Sequence, residues 1–264
     1  MLKNIRADSK SFSVTIKKCL FLFKVLIFSY SWKNKNAQPI DISSLWFDII
    51  TSMNKKISEI NRKAWNQIVS DGKVIHTSLG ESENELLNLL IKNVPNNGNV
   101  LDLGCGTGIP ISKIMYDSKL KVTGVDVSDK MIKSFKDNLP KASAYRMPMT
   151  EINWENKFDG IVSSYSLLCL PLDEFSLMAG KITRALKIGG YFLLFLNEGD
   201  SKEGQVQKVQ GELMFSTGVS EKEIRDIFEP KGMEIIRLER ERCESKEYGV
   251  EHEMMFLMNK TRIG

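Results

Sequence analysis

Histidine and cysteine are scarce in this chain, with two and four among 264 residues. Cys19, Cys105, Cys169 and Cys243 lie far apart and form no C-x-x-C pair, so neither zinc-ligand spacing nor a disulfide framework is present and no metal site is expected. Dispersed thiols fit a reducing, cytoplasmic setting. A long apolar run is also missing. Residues 19–30 are the leader's apolar segment, about 12 residues interrupted by Lys24, whereas a membrane span needs roughly 20. Five basic residues precede this segment like the n-region of a signal peptide. However, Lys24 splits its apolar part and no small-x-small site follows, which argues against secretion.

A strong excess of one charge is absent too, once the charge is divided along the chain. The total is +4, and residues 1–52 alone carry +5 (Lys3, Arg6, Lys10, Lys17, Lys18, Lys24, Lys33 and Lys35 against Asp8, Asp41 and Asp48), which leaves −1 on the rest. A near-neutral body lacks the electrostatic footprint of nucleic-acid binding, so no nucleic-acid partner is expected. Within the basic leader, residues 16–32 set cations beside Phe21, Phe23, Phe28, Tyr30 and Trp32, the composition of a segment that touches a membrane surface. A helix docked on the domain and an extension outside the functional unit are the alternatives. There is no internal repeat or low-complexity tract.

A chain of this length, 42% apolar, can bury one full core with an extension. Helical periodicity begins at Met53, with Ile57, Ile60, Ala64 and Ile68 at three- and four-residue steps and Gly72 as a stop. A second helix is expected over 81–92. Strands then alternate with helices: strand 100–103, helix 109–117, strand 121–126, helix 128–138, strands 142–146 and 158–163, helix 173–186 and strand 190–196. This order predicts a parallel sheet covered on both faces. Ser220 and Glu223 form a capping-box pattern for a helix to about 228, and strands near 233–238 and 253–258 follow.

The most informative stretch is residues 100–108, V-L-D-L-G-C-G-T-G. Val100, Leu101 and Leu103 read as a buried strand. Gly104, Gly106 and Gly108 can take positive φ and let a ligand touch backbone, with Cys105 between them. Asp126 ends the next strand 18 residues beyond Gly108, where a carboxylate can accept hydrogen bonds from both hydroxyls of a ribose. A dinucleotide fingerprint asks for a glycine at position 109, but Ile109 stands there, so no pyrophosphate cradle is indicated.

At these residues the chain resembles the class I S-adenosylmethionine-dependent methyltransferases. The resemblance rests on L-D-L-G-C-G-T-G at 101–108, G-V-D-V-S-D-K-M at 124–131, F-D-G-I-V-S-S at 158–164 and A-L-K-I-G-G-Y-F-L-L at 185–194, in the family's order. It implies an α/β, Rossmann-like, doubly wound seven-stranded sheet, mostly parallel with the last strand antiparallel, behind a helical N-terminal cap. The organisation expected is an extension over 1–52, then a methyltransferase domain over 53–264. Within that domain lie a helical cap (53–98), a cofactor-binding core (99–196), and a lid with the C-terminal part of the sheet (197–264). S-adenosylmethionine is the implied cofactor. The three glycines would pass under its methionine and ribose portions, Asp126 would hold the ribose, and Asp102 would orient the loop and the cofactor's amino group. Val127 and Met131 would pack beside the adenine, Met131 reading equally as a core methionine.

The match weakens at Pro148, where the family often has an acidic side chain for the adenine amino group. Met149 still offers a backbone N–H there, and Glu151 is a less well placed substitute. Backbone groups at Ser163 or Ser164 would hold the methionine end. On the acceptor side stand Tyr165, with a loop aromatic as its other reading, and Glu198, Glu212 and Phe215 from the long segment 197–219. No catalytic residue is assigned. Leu168 and Cys169 occupy positions where many relatives have histidines, and His76 and His252 read as surface or strand-edge residues. The expected activity is methyl transfer to a small-molecule acceptor. A protein or RNA methyltransferase is the alternative, disfavoured by the near-neutral body and by Ser164-Tyr165-Ser166 standing where amine-modifying relatives carry N-P-P-Y. A binding protein without turnover is the rival, with Pro148 its best support.

Overall fold

The computed structural model describes residues 42–73, 78–199, 204–245 and 249–262. Residues 1–41, with the 16–32 segment, and His76 lie outside them. No helix among the described residues is long and apolar enough to cross a membrane.

Helices α1 (Ile42–Ser70) and α2 (Glu81–Asn93) precede a seven-stranded sheet. The sheet's first half is β1 (Asn99–Leu103), α3 (Ile111–Asp117), β2 (Lys121–Asp126), α4 (Asp129–Asn138) and β3 (Ser143–Arg146). Its second half is β4 (Phe158–Ser164), α5 (Leu172–Ala185) and β5 (Leu186–Asn197). After a hairpin, β6 (Gln205–Val209) and β7 (Glu212–Ser216), come α6 (Glu221–Phe228), β8 (Met233–Ser245) and β9 (Gly249–Lys260). The strand order is β3-β2-β1-β4-β5-β9-β8. β1 to β5 are parallel, and β9 inserts antiparallel to both β5 and β8. This is the Rossmann-like sheet expected, with its last strand reversed.

Alternation along β1 divides the core. Leu101 and Leu103 face a layer with Phe158, Phe175, Ile182 and Phe228. Val100 faces Leu86, Leu90, Met115 and Phe135 on the other side. Both faces are therefore covered, which is why the parallel strands read as apolar runs. The chain leaves β1 first toward β2 and β3, then returns to β4 and β5. This reversal opens a crevice at the carboxyl ends of β1 and β4, where open α/β sheets bind ligands.

Three features depart from the sequence expectation. α1 starts at Ile42, so the 52/53 boundary falls inside a continuous helix. The segment read as a lid contains the β6–β7 hairpin, closed by Gln210 and Gly211, both at positive φ (49° and 88°). This pair suits the twist of a two-residue turn. The last two strands are also longer than their apolar centres suggested. The hairpin, marginal alone, packs Met214 against Ala64 and Ile68 of α1.

Candidate functional site

One cleft of about 1660 Å³ opens over the carboxyl ends of β1, β2 and β4. It is lined by Asp102, Gly104, Cys105, Gly106, Asp126, Val127, Met131, Pro148, Met149, Ser164 and Tyr165, so most of the proposed cofactor residues converge there.

The three glycines have different tasks. All have positive φ. A Cβ on Gly104 would lie 2.3 Å from the Ser166 Cβ, and one on Gly108 would lie 2.8 Å from the Phe135 ring. Both are held by packing, and Gly108 does not line the cleft. A Cβ on Gly106 would meet only the Met131 sulfur, at 3.8 Å. Gly106 is the position where the turn leaves room for a ligand to approach the backbone.

Asp126 organises that turn. Its Oδ2 accepts from the Gly106 N–H (3.0 Å) and its Oδ1 from the Ser128 N–H (2.8 Å). Two acceptor oxygens offer about four lone-pair sites, so capacity remains for a ligand's hydroxyls. Burial pushes its carboxyl up to about 6, against the pull of these amides. Asp102 is buried, accepts from the Ser112 hydroxyl at 2.6 Å, and is pushed up to about 7, chiefly by burial. Ser112 opens the helix behind the glycine turn, so Asp102 ties that helix to β1.

Met131, on the first turn of α4, donates its N–H to Ser128 Oγ and borders the cleft. Pro148 and Met149 also line the cleft, the Met149 Cε 3.6 Å from where a Cβ on Gly104 would lie. Met149 opens a single 3-10 turn, where a first N–H has no partner within the turn. Ser163 is buried below the cleft wall, its hydroxyl 2.7 Å from that of Ser166. Ser166 Oγ in turn donates to the Leu103 carbonyl (2.5 Å), which binds the loop after β4 to the glycine turn.

The acceptor-side residues separate. Tyr165 borders the cleft, but its phenol is hydrogen-bonded by Glu83 and Glu253, and burial pushes it well above the usual range. Glu198, Glu212 and Phe215 do not line the cleft. Glu198 pairs with Arg240 (3.4 Å), Glu212 stands opposite Val209 in the hairpin, and Phe215 is buried against Gly204.

Sequence reasoning missed the roof of the site, which α1 provides through Asn54, Ile60, Asn61, Arg62 and Trp65. Asn61 is buried and spans three elements. It donates to the carbonyls of Cys169 (3.1 Å) and Phe215 (3.2 Å) and accepts from the Phe215 N–H (2.8 Å). One step along, Asn66 Oδ1 accepts from the Ser128 hydroxyl at 2.6 Å, which ties the roof to α4. A signal did exist, since Asn61 sits on the apolar stripe between Ile57 and Ala64, where a polar side chain needs a buried partner.

The donor set fits a nucleoside cofactor: open space beside Gly106, and a carboxylate with spare acceptor capacity at the end of β2. Comparison with known proteins agrees. Residues 100–190 match a family model described as a methyltransferase domain. An uncharacterized protein of Haemophilus influenzae is 30% identical over 124 residues, covering 43% of this chain and 48% of that protein. The chain thus spans about half the length of the curated relative it matches. Among solved structures, a Methanosarcina mazei S-adenosylmethionine-dependent methyltransferase superposes with a TM-score of 0.58 at 18% identity, covering 65% of this chain and 96% of that one. The 1,6-didemethyltoxoflavin-N1-methyltransferase of Burkholderia thailandensis gives 0.63 at 17%, covering 79% and 91%. The [4+2]-cyclase SpnF gives 0.57 at 16%, covering 80% and 96%, so the shape alone does not specify a reaction. Four ordered motifs, the reversed seventh strand and the matching domain model carry one conclusion: residues 100–190 are a methyltransferase domain, set in a sheet with the fold of the S-adenosylmethionine-dependent methyltransferases.

Proposed function

We propose that this chain transfers a methyl group from S-adenosylmethionine to a small molecule bound in the same cleft, in a cytoplasmic setting. The observation that carries this reading is the open space at Gly106 beside Asp126, within a cleft larger than one ligand requires. Small-ligand pockets are typically about 300–1,000 Å³, against about 1660 Å³ here.

When bound, the cofactor supplies an already activated, electrophilic methyl group. The protein's own part is alignment and exclusion of water. Gly106 lets the ligand lie on backbone, Asp126 accepts the ribose hydroxyls, and Val127 and Met131 give an apolar seat for the base. Pro148 has no side-chain acceptor, which leaves the Met149 N–H as the polar contact there. Asn61 and Asn66 hold α1 across the top. The Burkholderia thailandensis enzyme has 1,6-didemethyltoxoflavin and S-adenosylhomocysteine bound in one crystal structure, which supports a small acceptor here as well.

Methyl-labelled S-adenosylmethionine, incubated with the protein and a size-fractionated cell extract, tests the reading. Label is expected in the small-molecule fraction. Label confined to protein or RNA would refute the acceptor class, and tight cofactor binding without transfer would favour a binding protein or another reaction on this fold.

A further inference from the structure

The roof of the cleft is made by α1 and the loop after β4. Ile60, Trp65 and Val69 line it from the helix, Cys169 and Leu170 from the loop. These two elements are locked together. The Trp65 indole N–H bonds the Cys169 sulfur, and Asn61, one helical turn earlier, holds the Cys169 carbonyl and both backbone groups of Phe215. The loop is equally fixed to the cofactor side: Cys169 N–H donates to the Ser166 carbonyl (3.0 Å), and Ser166 abuts Gly104. Trp65 therefore lines the roof of the cleft and is joined through Cys169 and Ser166 to the glycine turn.

The chemistry of this roof is specific. The one polar group of the indole is already committed to Cys169, so the ring offers flat apolar area and no hydrogen bond. Burial pushes the Cys169 thiol up to about 12, so it is neutral and serves as wall rather than nucleophile. Ile60, Val69 and Leu170 add aliphatic surface.

Resting on the methyltransferase reading above, we propose that Trp65 is the surface on which the methyl acceptor lies, that the acceptor is a flat, largely apolar small molecule, and that Asn61 is the positioning residue that fixes Trp65 there. An indole face whose N–H is committed selects by area and planarity, and a planar ring gains most from it.

The test uses the full chain saturated with S-adenosylhomocysteine and a flat apolar probe, 8-anilinonaphthalene-1-sulfonate, followed by its fluorescence. One probe per chain is expected. Trp65→Ala should weaken the probe roughly tenfold or more, the effect of losing a large aromatic contact, while Trp65→Phe retains most of the affinity. Asn61→Ala should weaken the probe at least roughly threefold more than it weakens S-adenosylhomocysteine, read by calorimetry, because the substitution frees the helix that carries Trp65. A merely structural role would lower both affinities together. The proposal is overturned if the saturated protein does not bind the probe, if Trp65→Ala binds it unchanged, or if Trp65→Ala or Asn61→Ala loses cofactor and probe equally. A full chain that does not bind S-adenosylhomocysteine at all refutes the methyltransferase reading itself, and this inference with it.

Discussion

Alanine substitution at Gly104, Gly106 and Gly108 should separate folding from binding within one five-residue turn. All three residues have positive φ, at 72°, 51° and 82°. Each substitution therefore carries a backbone penalty of about 1–2 kcal/mol. At Gly104 the new carbon would lie 2.3 Å from the Ser166 Cβ, and at Gly108 2.8 Å from the Phe135 ring. Overpacking of this kind adds about 1–3 kcal/mol, giving about 2–5 kcal/mol at these two sites. Gly106 has only the Met131 sulfur at 3.8 Å, so its loss stays near the backbone penalty alone. At roughly 2–4 °C per kcal/mol for a domain of this size, Gly106→Ala should lower Tm by roughly 2–8 °C. Gly104→Ala and Gly108→Ala should lower it by roughly 4–20 °C. S-adenosylhomocysteine binding should invert that order. Gly106→Ala fills the ligand's approach and should weaken it roughly tenfold or more, the effect of about 1.4 kcal/mol, while Gly108→Ala, if folded, should bind nearly as the unmodified chain does. Thermal unfolding and calorimetry on the three variants read both quantities. Unchanged binding by Gly106→Ala, or equal stability across the series, would refute the division of labour.

Other perturbations follow from buried charge and from the roof. Asp126 and Asp102 are raised by burial to about 6 and about 7 from an ordinary value near 3.8. A carboxyl raised on folding contributes stability at low pH that is lost as pH rises through its folded value. The free protein should therefore lose stability between about pH 4 and 7, seen as a falling Tm. S-adenosylhomocysteine affinity, which uses the ionised Asp126, should instead strengthen as pH rises through about 6, and flat affinity across that range would contradict the role given to Asp126. Lys260 is buried and donates to the Thr183 and Leu186 carbonyls (2.7 and 2.8 Å) at the end of α5. Lys260→Met leaves those acceptors unmet and should cost about 1–3 kcal/mol, read by denaturant unfolding. Deleting residues 1–52 removes the start of α1 but keeps Asn61, Trp65 and Asn66. The remaining chain should stay soluble and bind S-adenosylhomocysteine, and failure to fold would make the first part of α1 structural.

Much of the architecture was legible because β1, β2, β4 and β5 are buried on both faces and read as apolar runs between Gly, Pro and Asn breaks. Asp126 was legible because its distance from the glycine turn is set by one β-α-β unit. The hairpin was not. Residues 205–209, Q-V-Q-K-V, are half polar, and the turn uses Gln210 rather than the Asn or Asp common at a left-handed position. β8 extends through R-L-E-R-E-R-C-E-S at 237–245 as an edge strand, where charge is tolerated and protects against pairing with other chains. The roof was hidden for a different reason. Asn61 meets Phe215 across 154 positions, and no local pattern encodes such a pairing. Tyr165 shows the same limit: its place after β4 was foreseeable, whereas the capture of its phenol by Glu83 and Glu253 was set by α2 and β9.

The most direct test of the account is calorimetric titration of the full chain with S-adenosylhomocysteine, alongside Asp126→Ala and a parallel titration with NAD. One S-adenosylhomocysteine should bind per chain, and Asp126→Ala should weaken it by about 1.5–3 kcal/mol, or roughly 10- to 150-fold, the range for hydrogen bonds to a charged group. NAD, whose pyrophosphate finds no third glycine at Ile109, should bind far more weakly. NAD binding as tight as S-adenosylhomocysteine, or an Asp126→Ala variant with undiminished affinity, would contradict the assignment of this cleft.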